Sequence, residues 1–442
     1  MDGMSDLPPL TTQTVFILTS FFAAAFFAWR RKLDPLSVAF GSSLIYFIPG
    51  FFGVAQFSYG EGLGEFSAPF VPDTYSVMSI VLAALVAGAA VIDRIAQPVG
   101  WEVNFQARIP AVLFSFAALA TAASMNHTGT YFLCLDKSIT LERIDAWYGY
   151  ASMSAPFLVA TAYALRQRVL TLVGCTFLVA DMYAGFRLST AITFMAIVML
   201  SGDRLFQGRK AASLFILATV LAGASLFVVK HLIVPIKYAT AGYCEGASPT
   251  RLTTKEYLSG TAMNLTRLRF YVSAFVSQSE PFVIQSMLNE VIRKDFRTGS
   301  DYLKGQILAG LPLGASLFGI DSSSVTTFNS RAQPVLFPDV RFQMANSPWA
   351  QAYAAGGLAM VSAFALGYAT ILCMLTMLFN ATKGAVRAGI AAIAVWVGFY
   401  FHRNDLFIEI VYLKHVVYIF ALALFIALGS HLMANLKAPR PH

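Results

Sequence analysis

The sequence predicts an all-α polytopic membrane protein of about eleven transmembrane helices, N-terminus outside and C-terminus inside, with a large external cap between helices 8 and 9. Three observations predict it: the composition, the succession of apolar runs, and the side on which the basic residues fall. Of 442 residues, 57% are hydrophobic, 12% are charged and 38 are Phe. Soluble domains hold about 45–50% apolar and about 25% charged residues, so the surplus apolar surface faces lipid. A mean hydropathy of +0.64 agrees. A cytosolic enzyme, a secreted disulfide scaffold and a disordered chain are excluded. Cys134, Cys175, Cys244 and Cys373 show no CxxC spacing, which argues against a zinc site or a disulfide framework.

The apolar runs cover 13–29, 37–55, 74–92, 109–125, 150–165, 169–184, 188–202, 211–230, 349–379, 388–401 and 411–433. Most approach the length a helix needs to cross about 30 Å of hydrocarbon; those within 150–202 and at 388–401 are short. The first run lacks a small-residue cleavage site and is followed by Arg30-Arg31-Lys32, so it is expected to be a retained anchor. With the N-terminus outside, 14 of the 31 basic residues fall in short internal segments. These are Arg30 to Lys32, Arg94 and Arg108, Arg166 and Arg168, Arg204, Arg209 and Lys210, Lys383 and Arg387, and Lys437 and Arg440. The first ten residues and the 56–73 loop carry none, which is the positive-inside pattern. The chain divides into a bundle at 1–229 (helices 1–8), a cap at 230–348 and helices 9–11 at 349–442.

The cap breaks the charge rule, as long loops can. Between Lys230 and Arg341 lie 12 basic and 8 acidic residues. They are either solvated or shaped to hold an anionic ligand over the membrane. Within it, Phe282 to Lys294 has helical periodicity, with Val283, Met287 and Val291 on one side and Glu290, Arg293 and Lys294 off it. A turn at Arg297-Thr298-Gly299 leads to Tyr302–Pro312, too short to span and expected to lie at the membrane interface.

Ionisable residues near the outer ends of helices cost about 3 kcal/mol to bury in lipid, so they are functional candidates. Arg187 sits at the turn between two runs, between Gly185 and Ser189-Thr190. It either snorkels to headgroups or, beside a helix start with free N–H groups, clamps phosphate. His402-Arg403-Asn404-Asp405, with Glu409 one turn on, concentrates a cation and three proton acceptors (His402, Asp405, Glu409) between two runs; Asp405 is equally readable as a partner of Arg403. Arg341 to Gly357 leads from the cap into a run, with Asn346 and Ser347 as N-cap candidates, Pro348 at the first helical position, Gln351 beyond, and Gly356-Gly357 permitting close helix packing. Arg267 and Arg269 stand two apart, facing headgroups or a curved ligand. No DxD, HExxH, GxSxG, Walker loop or Cys/His metal spacing occurs, so no metal, cofactor or nucleic-acid partner is expected. Phosphate handling falls to arginines.

This pattern resembles the Wzy-type polymerases of bacterial surface polysaccharides, those of O-antigen and enterobacterial common antigen, and more distantly the O-antigen ligases. Four features carry it in order: Gly185-x-Arg187 before an apolar run, a large external loop with helix–Gly–helix–Pro from Val291 to Pro312, Asn346-Ser347-Pro348 before a helix with Gly356-Gly357, and Arg403 at the outer end of the penultimate run. The resemblance implies a metal-independent transferase of the glycosyltransferase C superfamily in the bacterial inner membrane. Its partners would be undecaprenyl-diphosphate-linked glycans, membrane lipids and a chain-length regulator protein. A growing chain would leave its lipid carrier at the periplasmic face for a hydroxyl of an incoming lipid-linked repeat unit.

The residues fit that chemistry. Arginines stabilise a departing diphosphate, for which Arg187 and Arg403 are expected first and Arg341 third, and a carboxylate or imidazole removes the hydroxyl proton. His402, Asp405 and Glu409 remain open for the base; Arg267, Arg269, Asn346 and Gln351 are expected to contact substrate. A ligase shares the arginine logic. A transporter would show internal repeats and charges near mid-membrane, whereas here charges cluster at one end.

Overall fold

The computed structural model describes residues 11–58, 64–95, 100–129, 145–202, 259, 266–267, 279–320, 325–341 and 344–437. The first group of helices comprises α1 (Thr12–Arg30), α2 (Pro35–Tyr46), α3 (Ile48–Phe52), α4 (Pro72–Arg94), α5 (Ile109–Thr128), α6 (Ala146–Ala164), α7 (Arg168–Ala184) and α8 (Leu188–Leu200). The region expected as the cap contributes α9 (Glu280–Arg293), α10 (Ser300–Gly310), α11 (Gly314–Leu317) and α12 (Phe328–Leu336). Then follow α13 (Pro348–Ala381), α14 (Gly384–Phe399) and α15 (Leu406–Lys437). One antiparallel hairpin interrupts the helices, β1 (Val54–Ser58) with β2 (Glu65–Pro69), Val54 opposite Pro69. Among the described residues six helices are long and apolar enough to cross a membrane: α1, α4, α5 with the turn before it, α13, α14 and α15. This is the architecture of a multi-pass membrane protein. The run expected at 211–230 lies outside the described residues.

Two expected elements take a different shape. The single span expected at 37–55 stops at Tyr46, restarts as the short α3 and ends at Gly53, where φ is +70°. Pro49 lacks the N–H that would continue the helix, and the chain turns instead into β1. The pair Gly356-Gly357 was expected to allow close packing of a continuous helix; it breaks α13 instead, Gly357 adopting φ +64° and ψ −154°. Only glycine takes that conformation readily. The eight residues before the break, Pro348 to Ala355, are all buried, and the carbonyls left open by it are taken up from the cap. Arg297 Nη1 donates to Tyr353 O at 3.1 Å and Thr298 N–H to Ala354 O at 2.9 Å.

Two apolar cores meet along α14, the most enclosed of the six spans. One unites α1, α2, α4, α9, α12 and the first half of α13; the other unites α5, α6, α8, α14 and α15. The small residues Ala388, Gly389, Ala391 and Ala392 let neighbours approach α14 closely. A side chain at Gly389 would collide with the Phe420 ring, which itself stacks on Phe157 at 5.2 Å.

The helix ends sort into two faces. At the first, Arg30 joins Asp93 and Asp34, tying α1 to α4 and the start of α2. Trp101 pairs with the end of α13 through Ala381 and Lys383, Gln106 takes the Ala385 N–H at 3.1 Å, and Gln167 donates to Ala107 O at 3.1 Å. The loops bearing Arg30 to Lys32, Arg94, Arg108, Arg166, Arg168 and Lys383 therefore share one end of the bundle. The opposite face gathers the end of α2, the hairpin, the start of α4, the α7–α8 turn, α9, the start of α13 and the α14–α15 turn.

Helix α9 is no surface amphipath. Its apolar residues face the first core, but Gln285, Asn289 and Glu290 on its other side are also buried, because the hairpin, α4 and α12 close over them. Asn289 accepts from Val71 N–H at 3.0 Å and Thr74 Oγ1 at 2.9 Å and donates to Pro69 O at 3.1 Å, supplying the cap that the start of α4 lacks. Glu290, expected off the apolar face, is fully buried and receives both Arg293 nitrogens at 2.6 Å. Helix α10, expected at the interface, packs on α13 and α15 through the buried Leu303, Gln306 and Ala309. The described part of the 230–348 segment thus shares its core with the bundle.

Candidate functional site

Arg187 is placed by a tight turn. Gly185, at φ +101°, ends α7, and its N–H and that of Phe186 bond back to Met182 O and Asp181 O, both at 3.0 Å. This left-handed glycine closure reverses the chain in two residues. Arg187 becomes the N-cap of α8 but makes no side-chain capping bond, so among the described residues no side chain caps the first N–H groups of α8. Behind the turn, Asp181 is buried and accepts from the Tyr148 hydroxyl and from Ser152 Oγ at 2.9 Å, and Ser152 meets Ser189 at 2.8 Å. That network locks the start of α8.

Arg403 leaves the turn after α14 with its guanidinium 5.5 Å from the Tyr400 ring centre. Its Nη2 lies 2.9 Å from Oε1 of Glu280, the first residue of α9. Both side chains stay partly open, at 35% and 41% exposure. Arg187, Arg403 and Glu280, from three distant parts of the chain, act on one another electrostatically. Burial pulls the Arg187 guanidinium below its ordinary value; Glu280 opposes this and Arg403 adds to it. Burial also works against the Arg403 charge, but Glu280, supported by Tyr400, Tyr46 and Glu409, outweighs it and holds that guanidinium above its ordinary value. Among the described residues no carboxylate lies within ion-pair distance of Arg187. Arg187 and Arg403 therefore share one partly exposed acid, Glu280. Ser279 Oγ and Thr190 Oγ1, buried beside Glu280 and within a turn of Arg187, also lack partners among the described residues.

The other expected residues separate into sealed and open. His402 is fully buried; Trp349 Nε1–H donates to its Nδ1 at 2.9 Å, and its Nε2 meets Ser43 Oγ at 3.1 Å. Because indole only donates, Nδ1 carries no proton; Nε2–H then donates to Ser43, which donates to Ala39 O at 2.8 Å. Every position on the ring is used. Asp405 accepts from Phe328 N–H at 3.1 Å and Ile408 N–H at 3.3 Å, so it caps α15 and ties down α12 instead of pairing with Arg403. Burial raises its carboxyl above the ordinary range, with the N–H groups of Ile408, Phe328 and Asn329 opposing. Glu409 is buried and takes Asn404 Nδ2 at 2.9 Å.

Gln351 is fully buried, accepting from Leu406 N–H at 2.9 Å and donating to Gln306 at 3.1 Å, so it fixes the start of α15. Ser347 is the N-cap of α13, its Oγ accepting from Trp349 N–H at 3.1 Å, and Pro348 follows at the first helical position. Asn346 is buried with neither amide atom partnered among the described residues. Arg341 is exposed in a shallow cleft with Asn329, Gln333 and Phe337 along α12. Arg267 is exposed; Arg269 lies outside the described residues.

Sequence reading missed Glu280 and the Trp349–His402–Ser43 chain. Glu280 is one of eight acids in its segment, and no spacing relates it to Arg403. Its only local signal is its place before Pro281 at a helix start. Among the described residues no three His, Cys, Asp or Glu side chains gather as a metal site. No protein-family model, no curated protein and no solved structure matches this chain.

Proposed function

We propose that this protein is a membrane glycan transferase that polymerises undecaprenyl-diphosphate-linked repeat units at the periplasmic face of a bacterial inner membrane. One observation carries the reading: Arg187 and Arg403 converge beside Glu280 at the end of the bundle opposite the basic loops, and no acid among the described residues pairs with Arg187. Two guanidiniums sharing one open carboxylate leave positive charge, partly dehydrated, at this end of the bundle, and a departing diphosphate would supply the missing negative charge as it develops. The open N-terminus of α8 adds N–H donors toward the same oxygens. The positive-inside rule sets the basic end in the cytoplasm, so this pocket faces the periplasm beside the lipid headgroups. A lipid-linked donor would keep its isoprenoid in the bilayer and bring its diphosphate to the arginines without leaving the membrane.

The test uses the purified protein in liposomes with lipid-linked oligosaccharide extracted from cells lacking the gene, which supplies the native unit. A ladder of longer lipid-linked glycans and stoichiometric release of undecaprenyl diphosphate are expected. Intact starting material after prolonged incubation would overturn the reading.

A further inference from the structure

We infer that Glu280 is the proton acceptor of this transfer, the catalytic base that receives the hydroxyl proton of the incoming glycan. The inference rests on the function proposed above and adds a residue and a role to it.

Four acid or imidazole groups surround Arg403, and geometry separates them. His402 spends both nitrogens on Trp349 and Ser43 and is fully buried. Asp405 spends its oxygens on backbone N–H groups of α12 and α15 and is 2% exposed. Glu409 is 7% exposed and held by Asn404. His402 and Asp405 have every acceptor engaged, and Glu409, with one oxygen on Asn404, is almost wholly enclosed by the bundle. Glu280 stands open: its side chain is 41% exposed, and among the described residues only Oε1 is engaged, by Arg403 at 2.9 Å.

Its placement also suits the timing of the reaction. Glu280 opens α9, at the helix end that faces the α14–α15 turn. Arg403 holds its carboxylate at the mouth of the α14–α15 turn, on the side where Arg187 also acts. When a diphosphate takes up the guanidinium charge, Arg403 has less hold on Oε1, and both carboxylate oxygens can turn to the acceptor hydroxyl. The acceptor oxygen then bonds to C1 of the donor sugar while its proton passes to Glu280. The bond from C1 to the diphosphate oxygen breaks with its electron pair, which leaves on the lipid diphosphate between Arg187 and Arg403. Glu280 returns the proton to water, and no oxidant or further reactant is needed. A base bonded to the leaving group's own arginine couples the two halves of the step, since release of the carboxylate requires occupancy of the guanidinium.

The decisive experiment measures elongation of the extracted lipid-linked oligosaccharide in liposomes by wild type, Glu280→Gln, Glu280→Asp and Glu280→Ala, with thermal unfolding of each to confirm folding. Loss of a positioned general base lowers the rate by about 10²–10⁴-fold. Glu280→Gln is expected to fall by that factor in kcat with KM little changed, and Glu280→Asp to retain an intermediate rate. Glu280→Ala is expected to recover turnover when formate is added, because a small carboxylate can enter the vacated space. Turnover by Glu280→Gln within about threefold of wild type would overturn the inference and leave Glu280 as a partner of Arg403 only. So would a Glu280→Ala enzyme that is folded, slow and indifferent to formate. A wild type that does not elongate at all would instead defeat the proposed function.

Discussion

The two ends of the bundle each hold arginines among acids, and they treat them in opposite ways. At the basic end, Arg30 is 8% exposed and saturated: Nε and Nη2 grip Asp93 at 2.6 and 3.0 Å, while Nη1 reaches Asp34 at 2.9 Å and Ser37 at 3.3 Å. Lys32 adds a second contact to Asp93 at 2.7 Å. Charge there is cancelled group by group, and the network ties three helices together. At the opposite end, Arg403 has one acid on one nitrogen, and Arg187 has none among the described residues. A charge whose every hydrogen bond is spent within the protein has nothing left for a ligand. A charge left short, and kept partly dehydrated, is poised for one that arrives from outside. The difference between structure and function here lies in the neutralisation, since the residue type is the same.

The largest effect is expected at the saturated end. Arg30→Ala leaves Asp34 buried without a cation and Asp93 with Lys32 alone, and breaking a buried ion pair from one side costs about 3–5 kcal/mol. Thermal unfolding in detergent should show the loss, together with lower levels in the membrane, while the elongation rate per folded molecule stays near wild type. A normal melting temperature for Arg30→Ala would abolish the contrast between the ends.

At the open end the expectation reverses. Arg187→Ala and Arg403→Ala each remove a donor to the developing diphosphate charge, a loss of about 2–4 kcal/mol of transition-state stabilisation or about 10²–10³ in rate. Stability should hold, and for Arg187→Ala it should not fall at all, because a dehydrated cation without a partner is itself costly to keep folded. Arg→Lys should rescue only partly, a point charge lacking the bidentate fork. The double variant should lose less than the product of the single losses, as groups acting as a unit do. Initial rates beside unfolding curves test all of this. Full activity in Arg187→Ala would return that residue to headgroup snorkelling.

What the sequence made legible follows the range of each interaction. Helices α1, α4, α5, α13 and α15 were readable because hydrophobic burial in lipid is a property of a local run, and the sidedness because loop charge is local too. Arg187 and Arg403 were readable as charges at the wrong depth. The proposed base was not, since the choice among His402, Asp405, Glu409 and Glu280 depends on partners distant in sequence: Trp349, Ser43 and Phe328 seal the first two, and Arg403 alone among the described residues reaches Glu280. Polar density beside Arg403 reads in the sequence as catalytic machinery; in the structure His402 and Asp405 also join α2, α12, α13 and α15. The break at Gly356-Gly357 was visible as a pair of glycines, but whether they pack or break is settled by Arg297 and Thr298, which arrive from the cap to take the freed carbonyls.

The smallest expected effect sharpens the same contrast within one turn of chain, where His402 is sealed and Arg403 is open. Trp349→Phe keeps the aromatic packing against Phe364, Tyr368 and Phe401 but removes the indole N–H, leaving His402 Nδ1 buried without a donor. An unsatisfied buried acceptor costs about 1–3 kcal/mol, so the melting temperature should drop modestly. The ring has a second course: it can switch tautomer, but Nδ1–H would then face an apolar phenyl and Nε2 would need Ser43 to turn its hydroxyl away from Ala39 O, so switching loses two bonds where keeping the tautomer loses one. Turnover should change by no more than a few-fold, because the imidazole is tied to the core on both sides and handles no substrate proton. A Trp349→Phe protein of wild-type stability whose kcat falls by two orders of magnitude would mean that His402 is tuned for proton transfer, and would move the catalytic base from the open side of this turn to the sealed one.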